Sequence, residues 1–340
     1  MQPNYTKGPL VPGSIEQLIN AAIAAQYPDA SAVSIIDARR LEDRPADSLV
    51  RVTWISDGVT QIRPFLVRFE PAQRNSSEGA LLPVLALHGI PVPRLLYSEP
   101  DELGTYLVLE QIAEASIGAS FTESGLRWEL SALGFTYGRM LARIHALDWA
   151  QLFPWLADAE ALPEDVIDDQ IDAWWVACEE QITRIPAEYQ VTSEAALAWL
   201  DLRRPVEVSL CLCHGDYRPS NVLAADDEVR AVLNWSEARV TDASYDLALL
   251  PFDIRALGLP DDDADLVHQA IIGSYVQASK CAIGNLPFYA VMRLLAAGLQ
   301  ALDADGVTPA PLPAFSSDVD ELFGALREVM AGGDKPLWRA

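Results

Sequence analysis

The stretch His214-Gly215-Asp216-Tyr217-Arg218-Pro219-Ser220-Asn221, with Leu233-Asn234-Trp235 twelve residues beyond it, has the layout of a phosphoryl-transfer loop. Such a reaction asks little covalent work of a protein. It needs a carboxylate to orient the attacking hydroxyl, hard oxygen ligands for a metal, and in-line positioning. Asp216 stands where the carboxylate belongs. Asn221, five residues on, offers an amide oxygen to Mg²⁺, and a second metal ligand at the end of the next hairpin falls at Asn234.

An aspartate followed by asparagine five positions later is common by chance. The longer run is specific: the loop, then Val222-Leu223, a hairpin at Asp226-Asp227-Glu228, and finally Val232-Leu233-Asn234-Trp235. Within it His214 and Gly215 shape the loop, the glycine because the backbone must turn tightly. Arg218 is placed to stabilise Asp216 or to meet phosphate.

At 340 residues the chain can bury a sizeable core. No apolar run approaches the ~20 residues of a membrane span, and Met1–Lys7 lacks the basic-then-apolar pattern of a signal peptide. The expectation is a cytoplasmic protein. A net charge of −25 argues against nucleic acid or an anionic membrane as partner. It is compatible with a cationic substrate, although solubility accounts for it equally well. The four cysteines, Cys178, Cys211, Cys213 and Cys281, make no disulfide framework. Cys211-Leu212-Cys213-His214 hints at a metal site, but it lies in an apolar run without a second ligand pair at motif spacing. Buried strand cysteines are the expectation.

Along the chain, Ile15, Leu18, Ile19, Ala22 and Ile23 recur at helical spacing over Ser14–Gln26, with Ser14 able to cap. Strand-like runs follow at 32–38, 49–55 and 64–69, the last two joined by a turn at Ser56-Asp57-Gly58. A helix over 76–87 and strands at 94–97 and 105–110 complete an α+β unit with an antiparallel sheet. Beyond Ala113 helical patterns dominate (126–147, 164–185, 193–202, 263–281, 287–302, 318–330), with short strands at 209–213, 221–224 and 231–234. Segment 308–314 is Pro-rich and reads as a loop. Two domains result, 1–112 and 113–340.

A phosphate clamp in a sheet lobe commonly uses a lysine paired with a helix glutamate. Lysine occurs only at Lys7, Lys280 and Lys335, so it cannot serve here. Arg68 is the basic residue of Phe65–Phe69, and Glu78, ten residues on, is placed to pair with it. The alternative is a half-exposed strand arginine with a surface partner. No glycine-rich loop joins the first strands. The backbone amides of Asp47 and Ser48, with the Ser48 hydroxyl, stand in as phosphate contacts, and a plain polar hairpin explains them as well.

Together these residues resemble the aminoglycoside phosphotransferase/choline kinase-like family, in particular its branch with a His-Gly-Asp-Tyr-Arg loop and an Asp-Trp-Glu metal segment. The resemblance covers most of the chain. It extends to Val67-Arg68, His88-Gly89-Ile90-Pro91-Val92-Pro93, Leu141–His145, Trp199-Leu200, Asp242 and Asp246-Leu247-Ala248. It implies a bilobal protein-kinase-like fold with a small antiparallel-sheet lobe and a larger helical lobe. It also implies ATP or GTP at the hinge Glu110–Ala113, with Glu110 and Ile112 as binding positions and Mg²⁺ on Asn221 and Asn234. The phosphoryl group would pass to a small-molecule hydroxyl.

One departure is sharp. Asn234 stands where the family has aspartate, in Asn234-Trp235-Ser236-Glu237. A neutral amide should hold Mg²⁺ more weakly. Losing about two to five kcal/mol of transition-state stabilisation corresponds to roughly 10²–10⁴ in rate. Ser236 or Glu237 are candidates to compensate. Thr241 and Ala243 likewise replace the family's glycine and proline around Asp242. Two readings therefore stand: a small-molecule phosphotransferase, or a catalytically impaired or dead homologue that binds a nucleotide or metabolite. The acceptor is not legible. Asp165, Asp168, Asp169 and Asp172 form an acidic helix stripe suited to a cationic molecule, or a plain solvated face. Trp174 and Trp175 suit stacking or core packing.

Overall fold

Val50, Val52 and Trp54 alternate along one strand and are all buried. That period of two sets the face of the first sheet. The computed structural model describes residues 12–41, 47–72, 78–158, 160–302, 316 and 318–332. These divide into two compact units, Met1–Ala113 and Glu114–Ala340.

In the first unit, α1 (Pro12–Gln26) precedes β1 (Ser31–Arg40), β2 (Asp47–Ser56) and β3 (Val59–Pro71). Then come α2 (Glu78–Leu87), β4 (Leu95–Asp101) and β5 (Gly104–Glu110). The five strands form one antiparallel sheet in the order β1-β2-β3-β5-β4. Asp57 (φ 50°) and Gly58 (φ 72°) join β2 to β3 where the turn was expected, in the left-handed conformation a two-residue hairpin requires. All five periodic residues of α1 are buried and pack on Val50, Val52, Trp54, Phe65 and Val67. The helix starts at Pro12, so Ser14 lies inside it rather than capping it. The expected loop positions 42–46, the helix start at 76–77 and the Pro-rich 308–314 lie outside the described residues.

The second unit contains α3 (Ile117–Glu123), α4 (Arg127–His145), α5 (Trp149–Leu152), α6 (Pro163–Ile182) and α7 (Ala187–Asp201). Short strands β6 (Leu210–Cys213), β7 (Val222–Ala225), β8 (Glu228–Val232) and β9 (Arg239–Asp242) follow. The chain continues through α8 (Ser244–Leu247), α9 (Leu250–Arg255), α10 (Asp261–Ala278), α11 (Leu286–Leu302) and α12 (Val319–Gly332). β6 pairs with β9 and β7 with β8, both antiparallel. Expected element ends hold to within a few residues, except that the strand expected from 64 begins at Val59, the strand expected to end at 97 runs to Asp101, and 193–202 begins earlier, at Ala187. α3 and β9 have no counterpart in the sequence reading, being too short to carry a period. α4 and α10 approach closely because Gly138 has no side chain: a Cβ there would lie 2.3 Å from the Ile271 carbonyl oxygen. This contact sets the end of α4, and with it His145, against Tyr275 of α10, their side chains 2.7 Å apart.

Candidate active site

The chain leaves β6 through Gly215 at φ +84°, where a Cβ would meet the Glu237 carbonyl oxygen at 2.1 Å. Only glycine fits that turn. The backbone amides of His214 and Gly215 point at Asp246 and donate to its two carboxylate oxygens, each at 2.7 Å. His145 Nε2 adds a third bond to Asp246 at 3.1 Å. Burial works to raise the Asp246 pKa, yet the hydrogen bond and charge of His145 and the loop amides hold it below the ordinary value. Burial likewise works against charge on His145, but Cys213 and Asp246 raise it to about 10. Asp246, known from sequence only as a motif position, is thus the buried anion that organises the loop.

Other groups fix the loop from its sides. The Asp216 amide donates to His214 Nδ1 at 3.1 Å, so the His214 proton sits on Nε2 and is given to the Leu233 carbonyl at 2.8 Å. Tyr137 and Tyr217 donate to each other's carbonyls at 2.9 and 3.0 Å. Arg293 of α11 donates to the carbonyls of Tyr245 at 2.9 Å and Gly215 at 3.1 Å. Sequence reading missed Arg293, which lies 78 residues from Gly215.

Asp216 is buried, and its Oδ2 accepts from Asn221 Nδ2 at 2.8 Å and lies 3.3 Å from the Arg218 guanidinium. Asn221 Nδ2 also donates to the Asp216 carbonyl at 2.9 Å. Both amide protons are therefore spent on acceptor-only groups, and Asn221 Oδ1 faces the other way. There it accepts from Asn234 Nδ2 at 2.7 Å. Asn234 is left-handed (φ 64°, ψ 61°), a conformation asparagine tolerates better than most residues. The structure brings together Asp216, His214, Arg218, Asn221 and Asn234. It adds Asp253 of α9, a buried carboxylate whose Oδ1 has no hydrogen-bond partner among the described residues. Burial pushes its pKa up to about 7; Arg293 and Arg218 oppose the shift and Asp216 reinforces it.

In the first unit Arg68 is 8 % exposed, which excludes the half-exposed alternative. Its guanidinium donates to Glu78, as expected, and also to both oxygens of Asp47, at 2.8 and 2.7 Å. Asp47 was expected to offer its backbone; its side chain is the second partner. Glu70 accepts from the first amides of α2, Glu78 N at 2.7 Å and Gly79 N at 3.5 Å. Ser48 is buried opposite Val67, and Glu110 lies opposite Phe65 with its amide donating to Arg94. Ile112 is half-buried just past β5.

The acidic stripe on α6 is met by Arg204, which contacts Asp172 at 2.8 Å and Asp168 at 3.5 Å. Trp175 donates to Glu179 at 3.0 Å, and Arg204 lies 5.9 Å from its ring centre. Cys211 and Cys213 are buried strand cysteines, as expected, and Cys178 on α6 is buried too.

An antiparallel five-stranded unit followed by a helical unit bearing such a loop defines a kinase-like fold. A thermostable variant of aminoglycoside phosphotransferase APH(4)-Ia, solved with AMP-PNP and hygromycin B, matches with a TM-score of 0.62 at 17% identity. That match covers 94% of this chain and 99% of that one. A family model described as the phosphotransferase enzyme family matches residues 42–277, and the chain belongs to that family. An aminoglycoside 3'-phosphotransferase of Streptomyces ribosidificus is 27% identical over 190 residues, 54% of this chain and 66% of that protein. Acyl-CoA dehydrogenase family member 10 of Mus musculus is 28% identical over 177 residues, 50% of this chain and 16% of that protein. The chain spans less than two thirds of the length of the curated relatives it matches. No described helix is long and apolar enough to cross a membrane.

Proposed function

We propose that this protein is an ATP- and Mg²⁺-dependent phosphotransferase acting on a hydroxyl of a small molecule. The observation that carries the reading is the setting of Asp216: Asn221 and Arg218 both engage Oδ2, which leaves Oδ1 to an acceptor hydroxyl. Asp216 orients that hydroxyl and takes its proton as the phosphoryl group leaves. Arg68, pinned by Asp47 and Glu78, is the cation assigned to nucleotide phosphate, with Ser48, Glu110 and Ile112 as further nucleotide contacts. A preference for ATP rests on AMP-PNP and ADP in the APH(4)-Ia complexes, while a GDP complex of aminoglycoside 2'-phosphotransferase-IIIa keeps GTP in view.

Asn221 and Asn234 offer hard oxygen donors, the type Mg²⁺ takes. Both are neutral, so nucleotide phosphates would have to supply the anionic ligands. When bound, the ion would offset charge developing on the transferred phosphoryl group. The excess of acidic residues is compatible with a cationic acceptor and argues against nucleic acid as a partner.

A second reading, a nucleotide- or metabolite-binding homologue with little or no turnover, is favoured by the bond between Asn234 and Asn221, which occupies the Asn221 oxygen proposed for the metal. Calorimetric ATP binding with and without Mg²⁺ separates the two. Tightening by Mg²⁺ in the native chain supports the enzyme; indifference to Mg²⁺ supports the binding protein.

A further inference from the structure

Cys211 and Cys213 are two residues apart on β6, so both side chains leave the same face of the strand. Their sulfurs lie 3.6 Å apart. His145, at the end of α4, closes on them: a ring nitrogen and the two sulfurs all fall within 4.8 Å of one another, and all three residues are buried. Cys281, just beyond α10, packs against the buried cluster that holds both strand cysteines. Three separate parts of the chain thus bring three thiols and one imidazole to one region.

A tetrahedral zinc with Zn–S bonds of about 2.3 Å holds its sulfur ligands about 3.8 Å apart. The observed sulfur spacing is already close to that edge. We propose that His145, Cys211, Cys213 and Cys281 form a binding site for one zinc ion, distinct from the phosphoryl-transfer loop and joined to it through Asp246. His145 Nε2 is committed to Asp246, which is the carboxylate–histidine arrangement that orients zinc-bound imidazoles. Nδ1, now 2.7 Å from the Tyr275 hydroxyl, is the ligand atom. Thiolates and imidazole select a soft or borderline ion over Mg²⁺. On loading, each thiol releases a proton to solvent as a metal bond replaces it, and His145 binds through an unprotonated Nδ1. Three thiolates leave the centre with one excess negative charge, and the partly exposed Arg239, at the end of β9 that pairs with Cys213, is the nearby cation that offsets it. Cys281 is the half-buried member and gives the ion its way in.

The test uses the full chain, reduced and freed of metal, titrated with Co²⁺ alone and then with Zn²⁺. One equivalent of Co²⁺ should give an intense thiolate-to-cobalt charge-transfer band, which one equivalent of Zn²⁺ removes while raising the melting temperature. Cys213→Ser should abolish the band and Cys281→Ser should weaken it. Cys178→Ser, on α6, should leave it intact. If Cys213→Ser fails to fold, the half-exposed Cys281→Ser and the native titration carry the test. Absence of the band in the reduced native chain overturns the site, as does a band that persists undiminished in Cys281→Ser. A chain isolated without reductant and two hydrogens lighter in mass, with no cobalt band after reduction, identifies a redox pair and also overturns it. None of these readouts depends on phosphotransferase activity, so the functional reading and this site fail separately.

Discussion

Asn234 Nδ2 donates to Asn221 Oδ1 at 2.7 Å, so the two side chains nominated as metal ligands are bonded to each other. The direction of this bond is dictated by Asp216, whose carbonyl and carboxylate take both protons of the Asn221 amide.

Asn234→Asp tests this bond directly. A carboxylate in that place would set two acceptor oxygens together unless an ion lies between them. The variant should therefore lose about 1–3 kcal/mol of stability without Mg²⁺ and regain it when Mg²⁺ is added. ATP binding should become more strongly Mg²⁺-dependent, and turnover should rise by roughly 10²–10⁴. Thermal melts with and without Mg²⁺ provide the check. A variant equally stable in both conditions contradicts the bond.

Asp216→Asn should lower turnover by about 10²–10⁴ while leaving nucleotide affinity within a few-fold. Water can serve as acceptor, so ATP hydrolysis and calorimetry suffice. Equal hydrolysis by native and variant chains would remove Asp216 from the reaction.

Arg68 is buried between two carboxylates, and removing it takes a cationic partner from both. Arg68→Ala should cost about 3–5 kcal/mol, because an uncompensated buried charge is far more damaging than an absent surface pair. Arg68→Lys should cost less, since lysine keeps the charge but cannot grip Asp47 through two nitrogens. Urea denaturation decides; a loss under about 1 kcal/mol for the alanine variant is incompatible with the buried triad.

Asp253 gives a pH dependence with a definite sign. Its folded pKa of about 7 exceeds the ordinary 3.8, so between these values the folded chain holds a proton the unfolded chain has released. Stability is therefore present at low pH and is lost as pH rises from about 4 through about 7, by up to about 4 kcal/mol. Asp253→Asn should remove this slope, melting higher than the native chain near pH 8 and close to it near pH 4. Parallel curves for the two proteins would sink the assignment.

Much of the fold was legible because the signals are local. The apolar stripe of α1 reports one helix face, and Asp57-Gly58 reports a left-handed turn, whatever lies elsewhere. The candidate site loop was legible for a similar reason: His214 to Asn234 is one continuous piece of chain, and its geometry demands particular residues at fixed offsets. α3 and β9 escaped because seven and four residues are too few to show a period. Asp47 escaped as a partner of Arg68 because the two meet through the register of β2 on β3, where they lie opposite each other.

The pattern of residues along the chain was enough to specify the two kinds of architecture, the loop and its unusual asparagine, since each depends on neighbours within a few positions. The remaining features depended on packing: Asp246 beneath the loop amides, Arg293 on the Gly215 carbonyl, Asp253 buried near Asp216, and Cys281 beside Cys211. Those contacts join residues tens of positions apart. A hydrogen bond or a shared cavity is set by where distant elements come to rest, and no local period encodes that.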